Sequence, residues 1–335
     1  MNIPTLMTRL AALQGHPIPI SKQAAPFDDH DSETIDADAS QQLPRAKGVR
    51  LVRNVEFARR TTADGKPLPL RLDLMIPEEP GRHPLVVFVP GGGFVMAPKV
   101  GGARLRRYVA ASGFVVASVE YRTVRHGATY QDALDDLADA VGYLRERAEQ
   151  YAIDPRQVGL WGESAGGYLV AMAGVTGDEP RWGDEGSPIR AVVDKFGASD
   201  LFRIAEGFDA ETVAKNRAPG NSLAKFAIGP TAVVLDDDPD AVHAADPARH
   251  ARSNAASFLL FHGSDDRIVS PVQTSILHDA LRRAGARSRR VLVRGAGHGD
   301  IAVKGGEEKY WTTEPMAGLT IDFLRAELTE PEGPA

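Results

Sequence analysis

The residues best suited to chemistry form the sequence Gly-Glu-Ser-Ala-Gly at positions 162–166, directly after an apolar run. This pattern predicts a buried strand, a tight turn and a helix, with a serine exposed at the apex of the turn. Such a turn strains the backbone of the serine, so residues two positions away must be nearly free of side chain. Gly162 and Gly166 meet this need. Ser164 is therefore the predicted nucleophile, although Gly-x-Ser-x-Gly alone also arises by chance in a chain with 33 glycines.

A serine hydroxyl needs a base within hydrogen-bond reach and an acid that orients the base. His298 lies in a glycine-rich loop after the last predicted strand, at the sheet edge where α/β folds place their sites. Asp265 and Asp266 follow the preceding predicted strand. We expect Asp266 to contact the imidazole and Asp265 to be solvated or to brace the loop. The order Ser164, Asp266, His298 is the hydrolase-fold order, and His262 is interpreted as a structural loop residue.

Three consecutive glycines at positions 91–93 follow another apolar run. Backbone N–H groups reach a developing oxyanion only where no side chain blocks the approach. We expect the N–H groups of Gly92 and Gly93, together with that of Ala165 behind the nucleophile, to form an oxyanion hole. A plain loop or a phosphate-binding loop is the alternative, but no G-x-x-x-x-G-K-[ST] motif is present. Phe94 is a candidate wall of the substrate pocket, with burial in the core as its alternative.

The elements that must position these residues alternate between strands and helices. Wholly apolar runs are typical of strands covered on both faces, and the alternation predicts parallel crossovers. The predicted strands cover 51–58, 68–75, 85–89, 114–120, the run before Ser164, 191–196, 258–261 and 290–293, and the predicted helices cover 103–111, 130–151, 272–284 and 315–328.

The chain divides into an N-terminal arm (1–48), a catalytic domain (49–328) and a polar tail (329–335). Residues 3–14 fit a short amphipathic helix. The next stretch of about 30 residues shows no period, so we expect an irregular arm that is either disordered or packed over the active-site mouth as a lid. Residues 200–250 lose the alternation and are expected to form an inserted cap.

Composition narrows the function classes. A chain of 335 residues with 43% hydrophobic residues can bury a large core. The net charge of -6 and the lack of a basic stripe argue against a nucleic-acid partner. The absence of cysteine removes disulfides, thiolate metal sites and cysteine nucleophiles, and the predicted chemistry needs neither metal nor organic cofactor. The N-terminus is unlike a secretory signal and no apolar stretch spans a bilayer, so a cytoplasmic protein is expected.

With these motifs in place, the sequence resembles the α/β-hydrolase superfamily. It is most similar to the esterase group that includes hormone-sensitive-lipase-like carboxylesterases and feruloyl or acetyl-xylan esterase-like relatives. The resemblance runs over residues 68–328 and includes Glu-Tyr-Arg at 120–122, Asp136, and the segment 153–158 that leads into the serine turn. It implies an α/β-hydrolase fold, with a mostly parallel central sheet flanked by helices.

Two departures from the family pattern affect the site. The family's oxyanion loop usually reads His-Gly-Gly-Gly, whereas Pro90 stands here in place of the histidine. Because glycine amides do the binding, we expect the oxyanion hole to survive with a different local anchor. The acid loop at 262–269 is similar to the H-G-x-x-D-x-x-V form of feruloyl-esterase and peptidase-like branches, rather than to D-P-x-x-D, which supports Asp266.

The residues together predict a serine carboxylic-ester hydrolase that acts through an acyl-enzyme on a small or medium ester. In this reading Ser164 attacks the ester, His298 shuttles the proton and Asp266 orients the imidazole. An acyltransferase and an amide or formamide hydrolase are alternatives with the same triad. A non-catalytic ligand-binding protein on a hydrolase scaffold is the alternative of another class. The expected partner is a small-molecule ester, and neither its acyl and alcohol parts nor the oligomeric state follow from the sequence.

Overall fold

The alternating strands and helices assemble one large sheet. Its strands are β1 (Glu33–Asp36), β2 (Val49–Thr61), β3 (Pro67–Pro77), β4 (His83–Val89), β5 (Val115–Val119), β6 (Ile153–Glu163), β7 (Ala191–Lys195), β8 (Ser257–Gly263) and β9 (Ser288–Arg294). The computed structural model describes most of the chain between residues 18 and 329, so the predicted helix over 3–14 lies outside the described residues. Within that range it leaves out residues 37, 63, 178, 184–187, 300, 302 and 304–305, and the side chains of 307 and 308.

In the described part of the chain the sheet has nine strands in the order β1-β9-β8-β7-β6-β4-β5-β3-β2. All neighbouring pairs from β1 through β5 in this order are parallel. The remaining strands, β3 and β2, pair antiparallel. The predicted mostly parallel α/β-hydrolase sheet is therefore confirmed, and its parallel strands place their carboxyl ends along one edge.

Helices cover both faces of this sheet, which explains why its central strands are almost wholly apolar. Val87 packs into the core layer that includes α2, α3 and α7, whereas Val86 packs into the layer with α1 and α8, as alternation along a strand requires. In the described residues no helix is both long and apolar enough to cross a membrane. The helices are α1 (Ala103–Ala111), α2 (Tyr130–Glu146), α3 (Ala165–Val175), α4 (Ala210–Arg217), α5 (Ser222–Ala227), α6 (Pro239–Ala244), α7 (Val272–Arg283) and α8 (Glu314–Leu328).

The predicted cap, residues 200–250, holds the three short helices α4, α5 and α6. Local capping explains why they form despite their length. Asp209 accepts the N–H of Thr212 at the start of α4, and Asn221 accepts the N–H of Leu223 at the start of α5. These helices stand between β7 and β8 in the chain, so they project from the sheet edge where the predicted site residues lie.

The N-terminal arm is not irregular throughout, and that prediction is wrong for Glu33–Asp36. These residues form β1, which pairs parallel with β9 at the end of the sheet. Gln42 forms a further bridge with Thr313, and Leu43 is fully buried. A four-residue strand with one partner is too short to show alternation, so the sequence pattern missed it.

Candidate active site

Ser164 lies at the sharp turn between β6 and α3. Its backbone has φ 56° and ψ −120°, a strained conformation for a residue with a side chain. Its N–H donates to the carbonyl of Lys195 at 2.9 Å. A Cβ atom on Gly162 would lie 2.2 Å from the carbonyl oxygen of Gly166, and one on Gly166 would lie 2.0 Å from that of Val89. Only glycine fits at either position, as predicted.

The structure brings the three predicted side chains into one hydrogen-bonded chain. The Ser164 Oγ atom lies 2.8 Å from His298 Nε2, and His298 Nδ1 lies 2.7 Å from Asp266 Oδ2. Asp266 follows β8 and His298 follows β9, and the N–H of Asp265 bonds to the carbonyl of Ala296 at 2.9 Å between the two loops. Because an ionised carboxylate only accepts hydrogen bonds, Nδ1 carries the imidazole proton and Nε2 faces the serine hydroxyl.

The Asp266 carboxylate is fully buried and surrounded by donors. Its Oδ1 atom accepts the N–H groups of Ile268 at 2.9 Å and Val269 at 3.0 Å. Burial alone would raise the pKa of Asp266, but the charge and hydrogen bonds of His298 and His262 outweigh burial and hold this pKa well below its usual range. Asp266 therefore stays ionised and can stabilise an imidazolium at His298.

Asp265, the neighbouring acid, has one of the two roles that the sequence suggested, which is to brace the loop. Its Oδ1 atom lies 3.3 Å from the Nε of Arg267 on the same loop. Arg267 also donates from Nη1 to the carbonyl of Lys22 in the arm, at 2.6 Å. The side chain of Asp265 thus braces the acid loop.

The glycine loop after β4 presents free backbone donors. The N–H of Met96 bonds back to the carbonyl of Gly92, and a Cβ on Gly92 would lie 2.1 Å from the carbonyl oxygen of Met96. Among the described residues no backbone carbonyl accepts a hydrogen bond from the N–H groups of Gly92, Gly93 or Ala165. All three border the same cavity as Ser164. The predicted oxyanion donors are therefore available next to the serine.

Tyrosine and threonine side chains anchor this loop where the family has a histidine. The hydroxyl of Tyr121 donates to the carbonyl of Pro90 at 2.8 Å, and Thr123 Oγ1 donates to the carbonyl of Val95 at 2.9 Å. Burial raises the pKa of Tyr121, so its hydroxyl stays a donor. Sequence reasoning noted residues 120–122 only as a motif and did not find this contact, because it joins positions 31 residues apart.

Phe94 borders the cavity but belongs mainly to the core. It is 6% exposed and has a positive φ of 65°. Its ring centroid lies 5.6 Å from that of Tyr168 and 4.7 Å from that of Phe226, so three aromatic rings support the glycine loop from below. Phe94 thus has both predicted roles, as a wall of the pocket and as a core residue, and core packing is the larger of the two.

The cavity over Ser164 has an arm side and a cap side. It encloses about 1260 Å³ of free space including its open mouth, and most of its lining is apolar. The hydroxyl of Ser222, at the start of α5, donates to the carbonyl of Gly93 at 3.2 Å, so the cap also touches the glycine loop. Arm and cap contribute Ile18, Pro19, Ile204, Asn216, Asn221, Ser222 and Leu223 to the lining.

The first described residues of the arm tie the acid loop to the cap. The N–H of Ser21 donates to the carbonyl of Arg267 at 2.8 Å, and the Ser21 hydroxyl donates to Asp209 Oδ2 at 2.9 Å. The N–H of Lys22 reaches the same Oδ2 atom at 2.9 Å. Hydrogen bonds from Lys22, Thr212 and Ser21 hold the pKa of Asp209 below its usual range. Because Ile18 and Pro19 just before them line the cavity, the arm forms one wall of the cavity that contains Ser164.

His262 is the clearest correction at the site. The interpretation as a loop residue is wrong, because His262 lies within β8 and is fully buried. Its Nε2 atom lies 3.2 Å from Asp266 Oδ2, so two imidazoles face one carboxylate oxygen. The spacing His-Gly-x-x-Asp was the available signal, since the loop after β8 folds back with the N–H of Asp266 on the carbonyl of Gly263.

Known proteins of similar sequence and structure are esterases. The model of a family described as BD-FAE matches residues 72–281, more than half of the chain. Over 272 residues the chain is 29% identical to a probable isoprenylcysteine alpha-carbonyl methylesterase, ICME, of Oryza sativa subsp. japonica, covering 71% of this chain and 58% of that protein. It is 28% identical over 305 residues to Esterase LipC of Mycobacterium tuberculosis, covering 88% and 71% of the two chains. The chain spans a little over half the length of the methylesterase.

Solved structures show the same fold. A truncated form of a carbohydrate esterase from gut microbiota superposes with a TM-score of 0.70 at 22% identity, covering 87% of this chain and all of that one. The apo form of Thermogutta terrifontis esterase 2 gives a TM-score of 0.61 at 22% identity, covering 86% and 98%. At this identity the likeness shows the fold alone, and it confirms the predicted α/β-hydrolase architecture.

Proposed function

The chain belongs to the BD-FAE family, and from this premise we propose that it is a serine carboxylic-ester hydrolase working through an acyl-enzyme. The observation that carries the proposal is the hydrogen-bonded chain from Ser164 through His298 to Asp266. The free N–H groups of Gly92 and Gly93 beside it supply what acyl transfer needs at the carbonyl oxygen. Relatives named as esterases support the same reaction class.

The reaction follows from the positions of the protons. Ser164 Oγ attacks the ester carbonyl while His298 Nε2 takes the hydroxyl proton, and Asp266 stabilises the imidazolium that forms. The N–H groups of the glycine loop and Ala165 receive the negative charge on the carbonyl oxygen, and the loss of one such donor typically lowers the rate about a hundred- to a thousandfold. His298 then protonates the departing alcohol. Water repeats the sequence on the acyl-enzyme and releases the acid.

The lining of the cavity favours a neutral, largely apolar ester. Among the described lining residues the ionisable side chains are Glu163 and His298. Glu163 Oε1 lies 3.8 Å from the Nζ of the buried Lys195, so its charge is already balanced. A charged substrate would enter this space with little compensation. The name of the rice relative, a methylesterase of isoprenylcysteine, agrees with an apolar substrate.

Active-site labelling tests the proposal directly. A fluorophosphonate probe should modify wild-type protein at Ser164, located by peptide mass spectrometry, and should not modify Ser164→Ala. An ester panel should show turnover of neutral acyl esters to free acid in wild type only. A folded wild type that neither labels nor turns over any ester would contradict the proposal. Transfer of the acyl group to an added alcohol at the expense of free acid would replace hydrolysis by acyl transfer.

A further inference from the structure

A second buried imidazole, that of His262, lies close to the Asp266 carboxylate of the triad. We propose that His262 is a positioning residue that fixes the Asp266 carboxylate and shares its negative charge with His298. The inference rests on the proposed function, since it concerns the same triad. Asp266 Oδ2 lies 2.7 Å from His298 Nδ1 and 3.2 Å from His262 Nε2, so one oxygen serves both rings.

The hydrogen-bond partners of His262 define its tautomer. Its Nε2 atom lies 3.1 Å from the carbonyl oxygen of Val269, which can only accept, so Nε2 carries the proton. The carbonyl is the hydrogen-bond partner of this N–H, and the Asp266 carboxylate is the close second acceptor. On the other side, Nδ1 lies 3.1 Å from the hydroxyl of Thr274. Arg290 Nε donates to that hydroxyl at 3.2 Å, and the hydroxyl proton is shared between Nδ1 and the carbonyl of Pro271, which lies 3.3 Å away.

The surroundings keep His262 a neutral donor. Burial lowers the pKa of His262, and Asp266 acts in the opposite direction without cancelling that effect. The charged groups that act on the ring are Asp266 on the acid loop and the buried Arg290 in β9, and His298 on the loop after β9 shares Asp266 Oδ2 with it. From the end of β7 the ring of Phe196 contributes an apolar wall, with its centroid 6.4 Å away.

The N–H of neutral His262, 3.2 Å from Oδ2, acts on the same negative charge as the N–H of His298. When this donor is lost, Asp266 presents more charge to His298 and stabilises the imidazolium more strongly. We therefore expect the acidic limb of the activity profile to move to higher pH. The carboxylate also loses one of the contacts that fix its orientation, so the rate at optimal pH falls.

Substitution of His262 by glutamine and by methionine tests this role. The two side chains have similar length, but glutamine retains an N–H near the position of Nε2 and methionine has none. The rate of fluorophosphonate labelling at Ser164 and the kcat of ester hydrolysis are measured against pH. For His262→Met we expect the acidic midpoint to rise by about half to one pH unit and kcat to fall about tenfold. His262→Gln should restore most of both.

His278 provides the matched control. It is also buried, and its ring nitrogens bond to the arm and to β9 rather than to Asp266. His278→Met should lower the melting temperature without moving the acidic midpoint. Thr274→Val leaves the imidazole of His262 in place, removes its Nδ1 partner and should give a smaller shift in the same direction.

Two results would overturn the inference. The first is an acidic midpoint that stays at the wild-type value in folded His262→Met and Thr274→Val, whatever their stability. The second is an equal shift in the glutamine and methionine variants, because a structural role alone would not separate them. A wild-type protein that fails to label at Ser164 would instead remove the proposed function, and the inference with it.

Discussion

The hydrogen bond from Tyr121 to the carbonyl of Pro90 offers the sharpest test of how the oxyanion loop is held. Tyr121→Phe removes one hydroxyl from a buried site and leaves the ring in place. The Pro90 carbonyl, itself buried, then has no donor at 2.8 Å, and the loop that carries Gly92 and Gly93 loses its anchor on the core side.

The magnitude follows from the burial of both partners. A buried carbonyl left without its donor costs about 1–3 kcal/mol. If the loop relaxes, this cost lowers the free energy of unfolding. If the loop must still adopt the active geometry in the transition state, the same free energy appears in kcat as a loss of about five- to a hundred-and-fifty-fold. We expect the second effect to be clear, because the donors of the loop act on the transition state.

Tyr168 gives a matched control for this substitution. Its hydroxyl also donates to a backbone carbonyl at 2.8 Å, that of Ala245, and the residue is fully buried. Burial likewise holds the pKa of Tyr168 well above its usual value. Tyr168→Phe should lower stability by a similar amount, but its carbonyl belongs to the cap rather than to the oxyanion loop.

The assay compares kcat, KM and the urea midpoint of the two variants with wild type. Tyr121→Phe should show a loss in kcat that exceeds any loss in Tyr168→Phe, at similar loss of stability. Equal kcat values in the two variants would refute the view that Tyr121 anchors the oxyanion loop for chemistry.

Three further predictions test the cavity wall at Ile18, the buried carboxyl group of Asp194 and the tight turn at Gly166. Ile18→Ala should widen the cavity and shift ester preference toward longer acyl chains, whereas Ile20→Ala, at a position 42% exposed, should not. Burial raises the pKa of Asp194 to about 7, so the folded state binds this proton more tightly than the unfolded state, and stability falls as pH rises toward and through 7. Asp194→Asn should therefore flatten the difference in melting temperature between pH 5 and pH 8, and an unchanged difference would contradict the assignment. Gly166→Ala places a Cβ 2.0 Å from the Val89 carbonyl oxygen, so activity and melting temperature should both fall, and a fully active variant would rule out the steric argument.

Sequence patterns predicted the sheet and the three triad residues because both depend on local signals. Apolar runs of five to seven residues are long enough to identify central strands such as β4, and the helix α1 begins and ends where the pattern predicted. Ser164, Asp266 and His298 each follow a strand, and parallel strands bring their carboxyl ends to one edge. Chain order, the glycine-rich loop around His298 and the form of the acid loop at 262–269 then selected the set.

The contacts that sequence reasoning missed are those between distant segments. Tyr121 and Pro90 lie 31 residues apart, and nothing in either local pattern points to the other. β1 pairs with β9 at opposite ends of the chain, over only four residues. His262 was misread because its role depends on how the loop after β8 folds back, which spacing suggests but does not fix.

The wall of the cavity and the oxyanion loop are parts of one packed unit. Ser222 from the cap bonds to the carbonyl of Gly93, and a Cβ on the same glycine would lie 2.9 Å from Cδ1 of Ile18. An ester that contacts Ile18 or Ser222 therefore also acts on the glycine loop, whose N–H groups must face the oxyanion. The binding free energy gained when an acyl chain fits this wall is thus gained partly in the transition state. The change in chain-length preference in Ile18→Ala should accordingly appear in kcat as well as in KM, whereas a wall separate from the loop would alter KM alone.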